Sequence, residues 1–276
     1  MQMLRRAAGS LCVLLALVLP MPCEALVVGT YNMEYFSVTG EERFTPEEVQ
    51  AVAKKILSSK ADILALQEVA DQGSLFFLVA RYLPGWSFRI NDTRGKQDLA
   101  FLWNTNTVAT AGSVRPIFRG ETYRDPRRGS IVLFDKPPLH GAFIEKGTGF
   151  RFGMVNVHLK SSSTLGQRDR REALEYSRRK RDAQIDRLNA FAKGAREPLF
   201  ILGDFNDPDA EADFPLLTLE DGFSYDARGT NLDYVGYVHM VRGPSWRVYE
   251  VEGSVPSRSF RNRESPDHDL VLLRVD

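Results

Sequence analysis

Carboxylates, amides and histidines follow apolar segments at five places along this chain. In one of them, the apolar run from Leu199 to Leu202 leads into Asp204 and Asn206. Carboxylate and amide oxygens are preferred protein ligands of Mg²⁺ and Mn²⁺, and histidine exchanges protons near neutral pH. If the apolar segments are neighbouring strands, their ends form one polar pocket suited to metal-assisted acid–base chemistry. The five sets are Asn32 with Glu34, Gln67 with Glu68, Asn156 with His158, Asp204 with Asn206, and Asp267 with His268.

Each of these residues has an ordinary structural explanation when it is considered alone. A glutamate at the end of a strand is most often a solvated turn residue. Asp204 and Asn206 could form a turn that hydrogen-bonds its own backbone, and His158 could be a satisfied sheet histidine. The ordered repetition of the pattern along the chain is what indicates a functional site.

Many short β-rich runs and a few helical segments must position these side chains. Residues 199–202 are all apolar, which is typical of a strand covered on both faces. Thr45, Pro46 and Glu48 predict a helix start with an N-cap and a capping box. Two more helices are predicted at residues 75–82 and about 168–192. This pattern predicts an α/β sandwich of two sheets flanked by helices. The predicted strands are residues 26–33, 62–69, 99–104, 130–134, 150–160, 198–206, 232–238, 247–251 and 269–275.

The composition excludes several classes of protein. The chain has 276 residues, 43% of them hydrophobic, and its 36 Lys and Arg balance 36 Asp and Glu. These values are typical of a globular protein and exclude a disordered or multi-span membrane protein. Without net charge, any basic site must be local. We expect Arg127, Arg128 and Lys160 to contact substrate phosphate, and the charged helix near residues 168–187 to be mainly a solvated face with ion pairs.

The first 25 residues have the features of a cleaved secretory signal peptide. Arg5 and Arg6 precede an uncharged, mostly apolar stretch, and small residues stand at Cys23 and Ala25. The stretch is short for a transmembrane helix. We therefore expect a secreted or periplasmic protein whose mature domain is residues 26–276. Both cysteines of the chain would be removed, leaving no disulfide and no thiolate metal site.

Six short motifs, taken in order, resemble those of the endonuclease/exonuclease/phosphatase superfamily. Pancreatic-type deoxyribonuclease and the apurinic endonucleases typify that superfamily. The resemblance covers essentially all of residues 26–276 and implies a four-layer α/β sandwich that hydrolyses phosphoesters with a divalent metal. The motifs are TYNME (residues 30–34), LQEV (66–69), VNVHLKS (155–161), GDFND (203–207), LDYV (232–235) and SPDH (265–268).

The resemblance also implies the members of a metal site. Glu68 is similar in position to the family's principal metal ligand, and Asn32 to a residue that assists it. Asp267 lies where the family has another carboxylate close to the metal. The implied ion is Mg²⁺ or Mn²⁺, which these oxygen ligands suit.

Catalytic roles are implied in the same way. Asp204 and Asn206 would position the scissile phosphate and the attacking water, and Asp204 is also a candidate ligand for a second metal. His268 would accept a proton from that water, with Asp233 orienting its ring. His158 would bind a phosphate oxygen and protonate the leaving alkoxide. Family members differ over whether the histidine or the aspartate is the general base, so His268 and Asp204 are both candidates for that role.

The two histidines need different protonation states for these roles. His268 must be neutral to accept a proton, whereas His158 must be protonated to donate one. Different neighbours should therefore move their pKa values apart. Asp98, at the start of a predicted strand, is a candidate carboxylate beside His158.

We predict an exported monomeric nuclease that cleaves DNA, and RNA as a second substrate, to 5′-phosphate and 3′-hydroxyl ends. A sphingomyelinase-type phospholipase is an alternative, but Trp86, Trp103 and Trp246 lie in strand-like stretches and resemble core residues more than membrane anchors. An inositol-phosphate phosphatase is another, but Asp207 stands where that branch has an arginine. A catalytically dead binding protein on the same fold is the fourth possibility. We expect no stable membrane insertion.

The exported protein should begin near Leu26, because signal peptidase cleaves after small residues such as Ala25. Mass spectrometry of protein recovered from periplasm or medium measures this directly. A product that retains Cys23 with an attached lipid would contradict the predicted signal-peptide cleavage.

Overall fold

The computed structural model of the protein describes residues 25–41, 43–93, 95, 97–214, 218–221, 232–238, 247–250, 268 and 270–275. The predicted signal peptide lies outside these residues except for Ala25. The predicted metal ligand Asp267 and the predicted core residue Trp246 also lie outside them.

Fifteen strands and four helices are present in the described residues. The strands are β1 (Leu26–Phe36), β2 (Ile63–Val69), β3 (Trp86–Ile90), β4 (Asp98–Asn104), β5 (Val108–Thr110), β6 (Arg115–Pro116), β7 (Thr122–Asp125), β8 (Gly129–Val132), β9 (Leu139–Glu145), β10 (Arg151–His158), β11 (Leu199–Asp204), β12 (Thr218–Asp221), β13 (Asp233–Val238), β14 (Arg247–Glu250) and β15 (Val271–Val275). The helices are α1 (Pro46–Ser58), α2 (Gln72–Tyr82), α3 (Arg170–Gly194) and α4 (Ala210–Asp213).

These strands form two large sheets and a small hairpin. The first sheet has the order β14-β15-β1-β2-β4-β3, and the second β12-β13-β11-β10-β9-β5, with β6 also paired to β9. Strands β7 and β8 form the hairpin. The pairs β1–β2 and β10–β11 are parallel, whereas the other pairs are antiparallel.

Three apolar clusters hold four layers together. One cluster packs α1 and α2 against the first sheet, with Ile56 and Leu66 among its members. A second fills the space between the sheets and includes Phe101 and Phe200. The third, which includes Leu188, packs α3 against the second sheet. The predicted four-layer α/β sandwich is confirmed. In the described residues, no helix has the length and apolar composition needed to cross a membrane.

Local sequence signals located the helix starts well and some strands poorly. The Thr45–Glu48 capping box is present, with the Glu48 carboxylate 2.6 Å from the Thr45 amide nitrogen. Helix α2 begins at Gln72, three residues before its predicted start, because the Asp71 carboxylate accepts the Ser74 amide. The sequence analysis missed β9, whose small and polar residues interrupt any apolar run.

A buried amide connects the two sheets. The Asn156 side chain in β10 donates hydrogen bonds of 2.8 Å to the carbonyl oxygens of Leu66 in β2 and Ala100 in β4. Its oxygen accepts from Gln67 Nε2 at 2.7 Å, and Gln67 Oε1 accepts from the Thr30 hydroxyl. The register between β2 and β4 shifts just after Leu66. Asn156 and Gln67, grouped by sequence with the pocket residues, therefore belong to the contact between the sheets.

Replacing Asn156 by alanine should lower the free energy of unfolding by about 3–5 kcal/mol, because it leaves buried carbonyls and the Gln67 amide without their partner. Asn189→Ala is the matched control, since Asn189 donates one part-buried hydrogen bond, to the Asp213 carbonyl. Urea unfolding measures both variants. Equal losses of unfolding free energy in the two variants would contradict a special role for the Asn156 side chain in joining the sheets.

Candidate active site

Strand register places five of the predicted residues in two groups, one on each sheet. Asn32 of β1 pairs with Gln67, directly before Glu68 in β2. In the second sheet, Asp204 of β11 lies opposite His158 on one side and Asp233 on the other. The ends of these strands face one another across the sandwich, so the predicted pocket exists.

Unusual backbone conformations aim the side chains at the strand ends. Glu68 has φ 55° and Asn206 has φ 53°, in the left-handed region that L-residues adopt at a cost of roughly 1–2 kcal/mol. Gly203 has φ 142°, and a Cβ there would lie 2.0 Å from the Val157 carbonyl oxygen. Only glycine allows β11 to approach β10 this closely beside the site. Such strain is typical of functional sites.

Two carboxylates from different sheets converge on one amide. Asn32 Nδ2 donates to Asp204 Oδ2 at 3.1 Å and lies 3.5 Å from Glu68 Oε1. The Asn32 oxygen accepts the Glu34 amide at 3.0 Å. Asn32 thus holds the two carboxylates together with its NH₂ group, and its role as a metal ligand stays a prediction.

Burial and like charges change the acidity of Asp204. Loss of hydration by burial is the largest cause, and the nearby carboxylates of Asp233 and Glu68 add to it, raising the pKa of Asp204 to about 7. His268 and the Asn206 amide act in the opposite direction. A cation placed among these carboxylates would offset their repulsion.

The donor set fits a hard divalent cation. Glu68 and Asp204 present carboxylate oxygens, which suit Mg²⁺ or Mn²⁺. Asp204, Asp233 and His268 also offer ligand atoms within 4.8 Å of one another. However, His268 Nδ1 and Asp233 Oδ2 are only 2.6 Å apart. These two groups therefore serve each other, which leaves the carboxylates of Glu68 and Asp204 as the candidate ligands for a cation among the described residues.

The contact between His268 and Asp233 fixes the state of the imidazole. Asp233 is fully buried, whereas 11% of the His268 side chain is exposed. Because a carboxylate accepts, His268 Nδ1–H donates the 2.6 Å hydrogen bond, and in the neutral ring Nε2 is then the acceptor. This is the geometry of an oriented general base.

His158 has different neighbours from those that we expected. The Lys136 ammonium lies 3.2 Å from both ring nitrogens, and His158 Nε2 lies 3.4 Å from Asp204 Oδ2. Burial, and then the charge of Lys136, lower the pKa of His158 well below its usual value, which opposes the expected protonated form. The prediction that Asp98 is its partner is wrong, because Asp98 accepts hydrogen bonds from Thr93.

The catalytic groups line an open pocket of about 440 Å³ that also holds two lysines. Lys160 was predicted, but Lys136 was missed because it lies in a loop after β8 rather than at the end of an apolar strand. The lining residues include Glu68, Lys136, His158, Lys160, Asp204, Asn206 and His268.

Arg127 and Arg128 are not among the residues that line this pocket. The Arg127 guanidinium forms ion pairs with Glu172 and Glu175 of α3. Arg128 packs its guanidinium 3.9 Å from the centre of the Tyr176 ring. Both arginines are exposed, and their contact with substrate stays a prediction. The expected ion pairs on α3 are confirmed.

Comparison with known proteins assigns the chain to a family. The family model for the endonuclease/exonuclease/phosphatase family matches residues 29–268. The chain belongs to this family. Members of the family are phosphodiesterases or phosphatases and typically depend on divalent metals. No curated protein matches the chain in sequence.

Solved structures of the endonuclease/exonuclease/phosphatase family share the fold. TDP2 of D. rerio, solved with a single-strand DNA product, is 13% identical with a TM-score of 0.64, covering 91% of this chain and 99% of its own. A family protein from Bacteroides thetaiotaomicron is 17% identical with a TM-score of 0.62, at 91% and 97% coverage. A mannosyl-6-phosphatase from the same bacterium is 17% identical with a TM-score of 0.60, at 90% and 98% coverage. At these identities the likeness shows the fold alone.

The raised pKa of Asp204 predicts how stability depends on pH. Because the pKa is higher in the folded protein than in the unfolded chain, folding favours the protonated carboxyl, and this contribution is lost as pH rises through about 7. In excess chelator, the Asp204 contribution to the free energy of unfolding should therefore fall from about pH 4 to about pH 7, whereas the lowered pKa of His158 makes a contribution of the opposite sign. Asp204→Asn should remove part of this slope, whereas Asp186→Asn, at an exposed position, should not. Identical slopes in urea unfolding for all three proteins would contradict the assignment.

Proposed function

We propose that the protein is a metal-dependent phosphodiesterase that hydrolyses nucleic acid, with DNA as its main substrate. The observation that carries this proposal is the hydrogen bond from His268 to the buried Asp233, which places the His268 ring in one pocket with Asp204, His158 and Lys136. The pocket thus combines an oriented base, carboxylates for a divalent cation, and positive charge for a phosphate. The products would be a 5′-phosphate and a 3′-hydroxyl.

The base side of the pocket activates water. His268 Nε2 accepts a proton from water while the attacking oxygen bonds to phosphorus, and Asp233 stabilises the imidazolium that forms. Asp204 and Asn206 orient that water and the phosphate. The Asn206 side chain is fixed in turn, because its Nδ2 donates to the Leu159 carbonyl at 3.2 Å.

The opposite side of the pocket stabilises the negative charge that develops on the phosphate. Lys136 and Lys160 offer ammonium groups to the non-bridging oxygens, and His158 offers an N–H. When bound at Glu68 and Asp204, Mg²⁺ or Mn²⁺ supplies positive charge at the same oxygens. The P–O3′ bond breaks and the leaving oxygen takes up a proton. A phosphate beside Lys136 and His158 would counter the Lys136 charge, which adds to burial in lowering the His158 pKa, and so favour proton transfer from His158 to the leaving oxygen.

The tryptophans support a nuclease over a lipid hydrolase. Trp103 is buried between the sheets and Trp86 is half-buried on an edge strand, so neither is an exposed membrane anchor. One observation favours a sphingomyelinase-type phospholipase as a second candidate. Leu165 is 91% exposed, two residues from the pocket-lining Ser163. We further propose that the protein is exported to the periplasm or the medium, on the basis of residues 1–25.

An assay of the purified protein with Mg²⁺ against plasmid DNA, RNA and sphingomyelin vesicles tests the proposal. We expect DNA cleavage that excess chelator abolishes and Mg²⁺ or Mn²⁺ restores. Glu68→Gln should raise the metal concentration needed for half-maximal rate. Full DNA cleavage in chelator would contradict the metal assignment. Hydrolysis of sphingomyelin with no action on nucleic acid would move the protein to the second candidate function.

Removing the base should lower kcat without unfolding the protein. His268→Ala is expected to cost roughly 10²–10⁴-fold, the usual contribution of one general acid or base. Asp233→Asn should cost less, because the ring remains while its orientation is weakened. The control is His140→Ala, at a histidine of β9 that contacts Phe191 and does not line the pocket. A folded His268→Ala protein that cleaves DNA at the wild-type rate would refute the mechanism.

A further inference from the structure

Helix α3 presents a buried polar face to the loops around the pocket. Lys180, Arg181 and Gln184 are only 2%, 8% and 2% exposed, although much of the helix is charged and solvated. Burying a cation is costly unless it is paired and hydrogen-bonded. We call these three residues the α3 clamp.

Arg181 connects the loops that follow two catalytic strands. Its Nε donates to Asp207 Oδ2 at 3.0 Å, in the loop after β11 that carries Asn206. One terminal nitrogen donates to the Lys160 carbonyl at 3.1 Å and to the Ser162 hydroxyl at 2.9 Å, in the loop after β10. The same guanidinium therefore joins the loop that carries Lys160 to the loop that carries Asn206.

The other two residues of the clamp extend the connection to a third loop. Gln184 Oε1 accepts the Lys160 amide at 2.9 Å, and Gln184 Nε2 donates to the Leu133 carbonyl at 2.9 Å. Lys180 Nζ donates to Asp135 Oδ1 at 2.6 Å, beside Lys136. Each of the three loops thus contributes side chains to the pocket and is tied to α3.

We propose that Arg181 is a positioning residue that fixes Lys160 and Asn206 in the geometry that the reaction needs. This inference rests on the proposed phosphodiesterase function. Backbone hydrogen bonds hold the start of each loop, from the Leu159 amide to Asp204 and from the Phe205 amide to Leu232. At Lys160, the next residue of the first loop, the backbone amide and carbonyl bond instead to the side chains of Gln184 and Arg181. The planar guanidinium makes bonds in several fixed directions, which a single ammonium cannot reproduce. A displacement of about 1 Å in such groups can cost about 10²-fold in rate.

The chain offers a matched control on the same helix. Arg187 forms a two-point ion pair with Glu121, at 2.8 and 3.1 Å, and packs 3.9 Å from the centre of the Phe118 ring. Neither Arg187 nor its partners line the pocket. Arg187→Met removes a comparable contact of α3 and leaves the pocket loops untouched.

The experiment compares Arg181→Met, Arg181→Lys and Arg187→Met in the full protein. With Mg²⁺ and bis(p-nitrophenyl) phosphate, Arg181→Met should lower kcat by roughly 10–100-fold with a smaller change in KM. Arg181→Lys should recover part of the loss, and Arg187→Met should stay within about twofold of wild type. Hydrogen exchange should accelerate at residues 159–163 and 205–207 in Arg181→Met, to a smaller extent in Arg181→Lys, and not in Arg187→Met.

Equal effects of Arg181→Met and Arg187→Met on kcat would overturn the inference, as would a loss confined to KM. If Arg181→Met does not fold, Arg181→Lys decides the question through the same two measurements. A wild-type protein that hydrolyses no phosphoester would refute the proposed function instead. The role of the clamp would then be decided by hydrogen exchange alone, and unchanged exchange in both loops would refute it.

Discussion

The side-chain amide of Asn156 is the interaction on which the arrangement of this protein depends. It satisfies two backbone carbonyls of the first sheet while it stands on a strand of the second. Because these groups are buried, sliding one sheet over the other would leave them without partners. Glu68 follows Gln67, the amide's third partner, and His158 lies two residues after Asn156. The bridge therefore fixes how the catalytic groups of the two sheets face each other.

The pocket brings carboxylates close to one another and cationic side chains close to one another. The surrounding structure keeps these mutually repelling groups from moving apart. Burial and neighbouring carboxylates raise the pKa of Asp204, while burial and then the Lys136 charge lower that of His158. Left-handed residues at Glu68 and Asn206 and the close approach at Gly203 hold these groups in place. On the outer face of the second sheet, the α3 clamp holds the loops that carry Lys136, Lys160 and Asn206 in place. A charged pocket with these constraints suits the divalent cation and the phosphate that we propose.

Local patterns predicted the parts of this structure that depend on near neighbours. The capping box of α1 lies within four residues, and the apolar run of β11 marks a doubly covered strand by itself. Strand β9 was not predicted because small and polar residues interrupt its apolar pattern. Asp98 was a candidate neighbour of His158 because of its place at a strand start, yet the hydroxyl and the amide of Thr93, five residues away, donate to its carboxylate. Lys136 and Arg181 carried no local signal that separates them from other surface cations.

The sequence by itself determined the family, the sandwich of two sheets with helices, and the set of polar strand ends from which a site could be built. The tertiary structure decided which of those residues meet. Gln67 enters the space between the sheets, whereas the left-handed backbone at Glu68 turns the next side chain towards the pocket. The Asn32–Asp204 hydrogen bond joins residues 172 positions apart. Contacts of that separation depend on how whole sheets pack, and no short-range pattern contains them.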